Sequence, residues 1–443
     1  MAQFDTILHP DFVVPMVPHR QVLQGISVAL SGGRIAALLK ESEARAEIAS
    51  EHIELPGCAL MPGLINLHCH SAMALLRGYA DDLPLMTWLQ RYIWPTEQRF
   101  ISPEFVRDGS DLAIADLLLG GTTTLVDNYF FPEMTAEAAD AAGIRALLAF
   151  PVIDVATAWA RDANECINRG LALRDRYRNH DRITIGFGPH STYMVSEQIL
   201  SRIAVLSEEL DAPIQIHLHE TREEVLGVVE RTGLRPIDLL EQLGVLGPRT
   251  QCVHMTALGD QDIERVAKHG AHVIHCPRSN LKLGAGICPV QKLLDQGVNV
   301  ALGTDGAASN NRLSMLGELQ IASLIGKTRH EDPKAVSAWT SLEMATLNGA
   351  KALGCEDQLG SIEVGKAADL IAIDVSGVQH SPRHDLASTL VYSTNGGEVC
   401  WSWVAGQALV RDGKLQTLDT TDLAHRATRW SEQLDTFRET LEP

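Results

Sequence analysis

Six side chains able to bind a metal or move a proton stand where short apolar runs end. His68 and His70 lie in Asn66-Leu-His-Cys-His70, and Asp305 in Gly303-Thr-Asp-Gly306. His190, His217 and His254 each close a further apolar run. Two histidines at i and i+2 on a strand project to the same side, so both imidazoles can reach one ion. With His217 and Asp305 they supply three nitrogens and one oxygen and leave room for water. That donor set suits a catalytic zinc or ferrous centre, not a closed structural site. An ion so held lowers the pKa of water from roughly 15.7 to about 7. Any one of these histidines alone would read as an ordinary core or surface residue. Five at run ends together with the aspartate point to a metal. Two other metal motifs are missing: His219-Glu-Thr-Arg-Glu223 lacks the second histidine of HExxH, and no P-C-x-x-C occurs. Cys69, Cys252 and Cys276, beside the histidines, have no common spacing and read as small packing residues.

The elements that must bring these residues together are eight β-rich runs, at 59–68, 122–128, 145–153, 183–190, 213–219, 250–255, 272–277 and 298–305. Helix-patterned segments at 103–119, 196–210, 235–243 and 260–269 lie between them. Apolar runs without clean alternation, interleaved with helices, predict a parallel sheet covered by helices. Eight such units predict an α/β fold of the (β/α)8 TIM-barrel type, whose strand ends converge on one mouth. A doubly wound open sheet is the alternative, but no Gly-rich loop follows the first run. Runs at 20–58 and 360–416 are broken by turn signals such as Asp412-Gly413, predicting a small β-sandwich built from both chain termini. The expected division is 1–58 for the N-terminal part of that sandwich, 59–358 for the barrel, and 359–443 for its C-terminal part plus a helix. That helix, 421–441, carries Leu423, Ala427, Trp430, Leu434, Phe437 and Leu441 on one stripe. The stripe reads as a packing face, with a homo-oligomer contact as the alternative.

The chain has 443 residues, 45% hydrophobic and 21% charged, with a formal net charge of −19. This is globular composition, large enough for more than one domain. The negative balance argues against nucleic acid as a partner and leaves small neutral or zwitterionic ligands open. The start MAQFDTILHPDF lacks a basic-then-apolar pattern, and no stretch of eighteen apolar residues exists, so neither secretion nor a membrane span is expected. Eight scattered cysteines without CxxC fit reduced thiols and a cytoplasmic location.

Pro62-Gly-Leu-Ile-Asn-Leu-His-Cys-His-Ser71, Ile216-His-Leu-His-Glu-Thr221, His275-Cys-Pro-Arg-Ser-Asn280, Thr304-Asp-Gly306 with Ser309-Asn-Asn311, and Gly360-Ser-Ile-Glu-Val-Gly-Lys-Ala-Ala-Asp-Leu370 together resemble the amidohydrolase superfamily. Within it the chain is similar to the deaminases of 5'-methylthioadenosine and S-adenosylhomocysteine, which are related to the triazine hydrolases. The resemblance implies one divalent metal ion per subunit, zinc with iron as the alternative, on His68, His70, His217 and Asp305. It implies that Glu220 shuttles a proton and that His254 polarises or steers the water. It also implies that Glu97 holds the ribose hydroxyls and that His190 contacts the substrate. Trp88 and the segment 71–102 would form a lid. Ser309 and Asn310 read as caps of the following helix. Related barrels with two bridged metals commonly carry a carboxylated lysine at the end of the fourth strand. Here that run ends in His190, and no lysine lies between Lys40 and Lys268. The implied reaction is hydrolytic deamination of an adenine nucleoside thioether. Adenosine or another aromatic heterocycle (guanine, a pterin, an s-triazine) is the alternative substrate, and a silent scaffold the alternative from another class.

Overall fold

The computed structural model describes residues 3–441, so the last residues of the two terminal segments, 1–2 and 442–443, lie outside it. Eight strands pair in parallel in chain order: Leu64–Cys69, Thr122–Asp127, Arg145–Val152, Ile183–Pro189, Ile214–Leu218, Thr250–His254, His272–His275 and Val300–Leu302. Between the last and the first, the Asp305 N–H donates to the His68 carbonyl at 2.9 Å, bringing the ends together as a nearly closed barrel. Gly303 permits that approach, because a Cβ there would meet the His68 backbone nitrogen at 2.8 Å. Alternate strand residues take opposite faces, as the pleat requires. Leu148, Phe150, Ile185, Phe187 and Ile216 pack with Ile167, Leu200 and Ile203 of the surrounding helices. Leu67, Val126, Leu147, Ala149, Val253, Ile274 and Ala301 form a second cluster with Ala350 and Ala352 of the helix Leu347–Ala352, which closes the barrel floor.

The helices begin and end where capping chemistry puts them. Pro103–Leu119 starts after Ser102, whose hydroxyl accepts from the Phe105 N–H at 3.2 Å, with Pro103 in the first turn. Arg222–Thr232 starts after Thr221, which accepts from the Glu224 N–H, and ends at Gly233 with φ 75°. The expected segments 103–119 and 260–269 match Pro103–Leu119 and Asp260–His269 to the residue.

The first expected run, 59–68, proves to be two strands. Ala49–Pro62 belongs to a separate mixed sheet, and the barrel begins only at Leu64. Gly63 makes the break: a Cβ there would meet the Thr123 side chain at 2.0 Å. The separate sheet has eight strands from both parts of the chain, with Leu370–Asp374 lying antiparallel against Ala49–Pro62. Leu30, Leu60, Trp401 and Trp403 share its core.

The C-terminal helix, Thr420–Leu441, lies against the barrel helix Pro103–Leu119. Leu423, Trp430 and Leu434 are buried, so the stripe is a packing face. The Trp430 indole N–H donates to Asp108 Oδ2 at 2.8 Å, and Arg426 pairs with Asp108 and Asp111. The segment after the first barrel strand is a 3-10 turn, Ser71–Leu76, followed by an unbroken helical stretch made of Leu85–Trp88, Leu89–Ile93 and Trp94–Phe100. Pro95, which lacks an N–H, sits in the first turn of the last of these, just past a π-helical turn. Among the described residues no helix is long and apolar enough to cross a membrane.

Two glycine substitutions should move stability in opposite directions in thermal unfolding. Gly63→Ala overpacks the buried Thr123 and should cost about 1–3 kcal/mol. Gly227→Ala, on an exposed helix face with nothing within 4 Å, should add about 0.5–1 kcal/mol.

Candidate functional site

The five histidines and Asp305 sit at or near the C-terminal ends of barrel strands, where neighbouring strand ends face one mouth. His68 and His70 flank Cys69, the last residue of the first strand. His190 follows the fourth strand, His217 lies within the fifth, and His254 ends the sixth. Asp305 comes three residues after Leu302, where the eighth strand ends. Non-glycine residues with positive φ gather here: His219 at 52°, His254 at 76° and Asp305 at 63°. Left-handed backbone at such residues is costly and persists where surrounding contacts over-determine it.

The donor atoms converge. Those of His68, His70 and Asp305 lie within 4.8 Å of one another, as do those of His68, His217 and His254. Asp305 Oδ1 is 3.5 Å from His68 Nε2 and 3.3 Å from His70 Nε2, and His217 Nε2 is 3.2 Å from His68 Nε2. Three imidazoles have an acceptor behind them. His68 Nδ1–H donates to Gln215 Oε1 at 2.7 Å, His70 Nδ1–H to the Asn128 carbonyl at 2.5 Å, and His217 Nδ1–H to the His190 carbonyl at 2.8 Å. A hydrogen on each Nδ1 leaves the lone pair on Nε2, the atom turned toward the others. His254 has the opposite arrangement. Its Nδ1 accepts from the Asn280 amide at 2.9 Å, so its Nε2 carries the hydrogen and offers a donor rather than a lone pair. This tautomer follows from the orientation of the Asn280 amide.

Burial drives His70, His190 and His254 down to about 4, and burial with the neighbouring imidazoles holds His217 well below its ordinary value. Neutral imidazoles are what a cation requires. Asp305 goes the other way. Burial alone would raise it, but its contacts with His68, His70 and His254 hold it well below the usual carboxylate range. Its Oδ2 accepts from the hydroxyls of Ser279 at 2.6 Å and Ser309 at 2.9 Å, leaving Oδ1 toward the histidines. One carboxylate among neutral imidazoles can hold a divalent cation.

Glu220 lies beside this cluster, its Oε1 3.8 Å from His254 Nε2. Burial, and then the charge of Asp305, push its carboxyl up to about 8. Glu224 pins the turn: its carboxylate accepts from the Glu220 N–H at 2.6 Å and the His219 N–H at 3.1 Å. The His190 ring is tilted at 40° against that of His217, with ring centroids 4.8 Å apart. Glu97 is on the helix Trp94–Phe100 of the 71–102 segment, where Tyr129 donates to its Oε1 at 2.7 Å and burial pushes it up to about 7. Trp88 is buried inside the apolar cluster of that segment, with Met73, Leu76, Tyr79, Ile93 and Trp430.

Several residues that orient the site carry no role in the sequence reading: Gln215, Tyr129, Ser279 and Asn280. Ser309, read as a helix cap, bonds Asp305 instead, and Asn310 donates to the Thr304 carbonyl at 2.6 Å and to Glu318 at 2.9 Å. Arg278 is turned onto the buried Glu318, 3.3 Å away. Ser279 and Asn280 stand in a recognisable motif, which marks them but does not tell what they touch. Gln215 offered one signal: two residues before His217 on the same strand, it faces the same interior.

The sequence profile of the amidohydrolase family matches residues 59–409. A 5-methylthioadenosine/S-adenosylhomocysteine deaminase from Teredinibacter turnerae is 51% identical over 98% of this chain and 98% of its own. A zinc-bound structure described as an adenosine deaminase from Xanthomonas campestris superposes with a TM-score of 0.96 at 43% identity, over 98% of this chain and 99% of that one. A triazine hydrolase from Arthrobacter aurescens superposes with a TM-score of 0.88 at 25% identity, over 96% and 99% respectively.

Gln215 links His68 to the barrel floor, since its amide donates to Gln251 Oε1 and the Gln251 amide to the Ala352 carbonyl. Gln215→Leu should leave the His68 Nδ1–H without its acceptor and weaken divalent-metal affinity about 10–100-fold. Competition with a chromophoric chelator measures this directly.

Proposed function

Because the chain belongs to the amidohydrolase family, we propose that it is a hydrolase that deaminates adenine nucleosides bearing a 5' thioether. Its substrates are 5'-methylthioadenosine and S-adenosylhomocysteine, and its products the inosine analogue and ammonia. The observation that carries this reading is a pair of carboxyl groups whose affinities for a proton are driven apart at one cluster of neutral imidazoles. Glu220 is pushed up to about 8 while Asp305 is held well below its usual range. Such a pair provides a proton donor and a proton acceptor at the same pH. The full-length likeness to a relative described as acting on these two nucleosides supports the substrate class.

His68, His70, His217 and Asp305 would hold one divalent ion, zinc, or ferrous iron, which suits the same donors. When bound, it supplies the Lewis acidity that makes water nucleophilic near neutral pH. The remaining steps belong to the protein. Glu220 donates its proton to the purine nitrogen beside the amino-bearing carbon, so that negative charge does not build up on the ring as water adds. Asp305 accepts one proton of the attacking water and passes it to the amine, which leaves as ammonia, and the other water proton returns to Glu220 as the carbonyl forms. The His254 Nε2–H steers the water oxygen. A carboxylate at Glu97 accepts hydrogen bonds from the vicinal ribose hydroxyls, and His190 is a second contact for the substrate. Trp88 stiffens the 71–102 lid from within. The requirement for an acid at Glu220 favours an amine leaving group over a halide, which needs no proton. The eight cysteines, all free thiols, fit the reducing cytoplasm as the site of action.

Purified, metal-loaded protein should release ammonia from 5'-methylthioadenosine and S-adenosylhomocysteine faster than from adenosine or guanine. Turnover confined to guanine or to another free heterocycle would overturn the substrate assignment. Glu220→Gln should lower kcat by about 10²–10⁴-fold. The donor must be protonated, so the wild-type rate should fall as pH rises through the Glu220 pKa, and a pH–rate profile should lose that alkaline limb in Glu220→Gln.

A further inference from the structure

The turn that fixes a metal-facing histidine also carries the residue that holds Glu97. The Asn128 N–H donates to the Cys69 carbonyl at 3.0 Å, and the Asn128 carbonyl accepts from His70 Nδ1 at 2.5 Å. The next residue, Tyr129, is 5% exposed, and its ring centroid is 6.1 Å from that of His70. Its phenol donates to Glu97 Oε1 at 2.7 Å. Glu97 has no cationic partner, and its Oε2 has no hydrogen-bond partner, among the described residues. The turn bearing Glu97 is tied on its other side as well. Thr96 Oγ1 donates to the Tyr79 hydroxyl at 3.1 Å, and that hydroxyl donates to the Leu434 carbonyl of the C-terminal helix at 3.3 Å.

We propose that Tyr129 is a positioning residue for sugar recognition: it holds one oxygen of Glu97 so that the other meets the ribose hydroxyls at a set distance from His70. The proposal rests on the reading of Glu97 as the ribose contact given above. A glutamate side chain, if held by nothing, would rotate and lose most of its preference for one hydroxyl geometry. The phenol removes that freedom with a charge-assisted bond and is itself fixed by its backbone next to Asn128. The ribose contact is thereby placed against the same turn, 128–129, that fixes His70. A misplacement of about 1 Å at the reacting atom is enough to cost about 10²-fold in rate.

The test compares wild type with Tyr129→Phe, which keeps the ring and removes the hydroxyl, using 5'-methylthioadenosine and 2',3'-dideoxyadenosine. Removing one hydrogen bond to a charged group should raise KM for the ribonucleoside about tenfold with a smaller change in kcat. KM for the dideoxynucleoside, which offers Glu97 no hydroxyl, should stay within about twofold. In a Glu97→Gln background, Tyr129→Phe should add little, because the two act as one unit. Metal content should remain that of wild type. Equal losses on both nucleosides, or none on either, would overturn the proposal and leave Tyr129 a packing residue. Should wild type release no ammonia from any adenine nucleoside, the proposed activity falls. Calorimetric binding of 5'-methylthioadenosine to the same two proteins then still decides the clamp, and equal affinities overturn it.

Discussion

Everything at the barrel mouth depends on which nitrogen of each histidine carries a hydrogen. An imidazole offers one donor and one acceptor, and a single bond at Nδ1 decides which of the two faces inward. Gln215, the Asn128 carbonyl and the His190 carbonyl accept from His68, His70 and His217, so three Nε2 lone pairs converge. Asn280 donates to His254 instead, and the fourth ring presents a hydrogen. Four histidines of identical chemistry are thereby divided into three able to hold a cation and one able to orient a water. The acceptors come from neighbouring strands and turns of the barrel, so the division exists only once the barrel has closed.

Electrostatics follows from the same burial. Burial keeps His70, His190, His217 and His254 neutral, while Asp305 is held well below the usual carboxylate range, with two serine hydroxyls donating to its Oδ2. Glu220 has no such hydroxyl partners among the described residues, and the nearby Asp305 charge discourages a second one. Two carboxyl groups of similar intrinsic acidity are separated by what surrounds them. The cost is carried by the fold, in left-handed backbone at His219, His254 and Asp305. The bond network reaches the barrel floor through Gln215 and Gln251 and the C-terminal helix through Tyr79 and Thr96. The separate sheet takes no part in this network; its strand Ala49–Pro62 leads into the first barrel strand.

Much of this was legible in the residue order. Short apolar runs ending in histidine or aspartate, alternating with capped helices, correspond closely to the barrel observed. Pro103–Leu119 was legible at both ends because a serine cap, a proline and a terminal glycine are local signals. The strand ends were less so. The run 59–68 is continuous in hydropathy, and only contact between Gly63 and Thr123 shows why it divides. Ser309 shows the same limit within the site: beside a helix start a serine reads as a cap, yet its hydroxyl is spent on a carboxylate that the chain turns back to meet.

The sequence by itself determined which groups are available: the paired histidines of one strand, the further histidines at run ends, one aspartate, and the glutamate three residues after His217. Residue type and spacing along a strand are local properties, and they suffice to name a donor set. Tertiary structure alone decided the roles within that set. Tautomer, charge state and aim depend on partners far away in the chain, such as Gln215 for His68, Asn280 for His254 and Tyr129 for Glu97. An acceptor within about 3 Å fixes a proton, and a sequence does not encode that distance until the chain has folded.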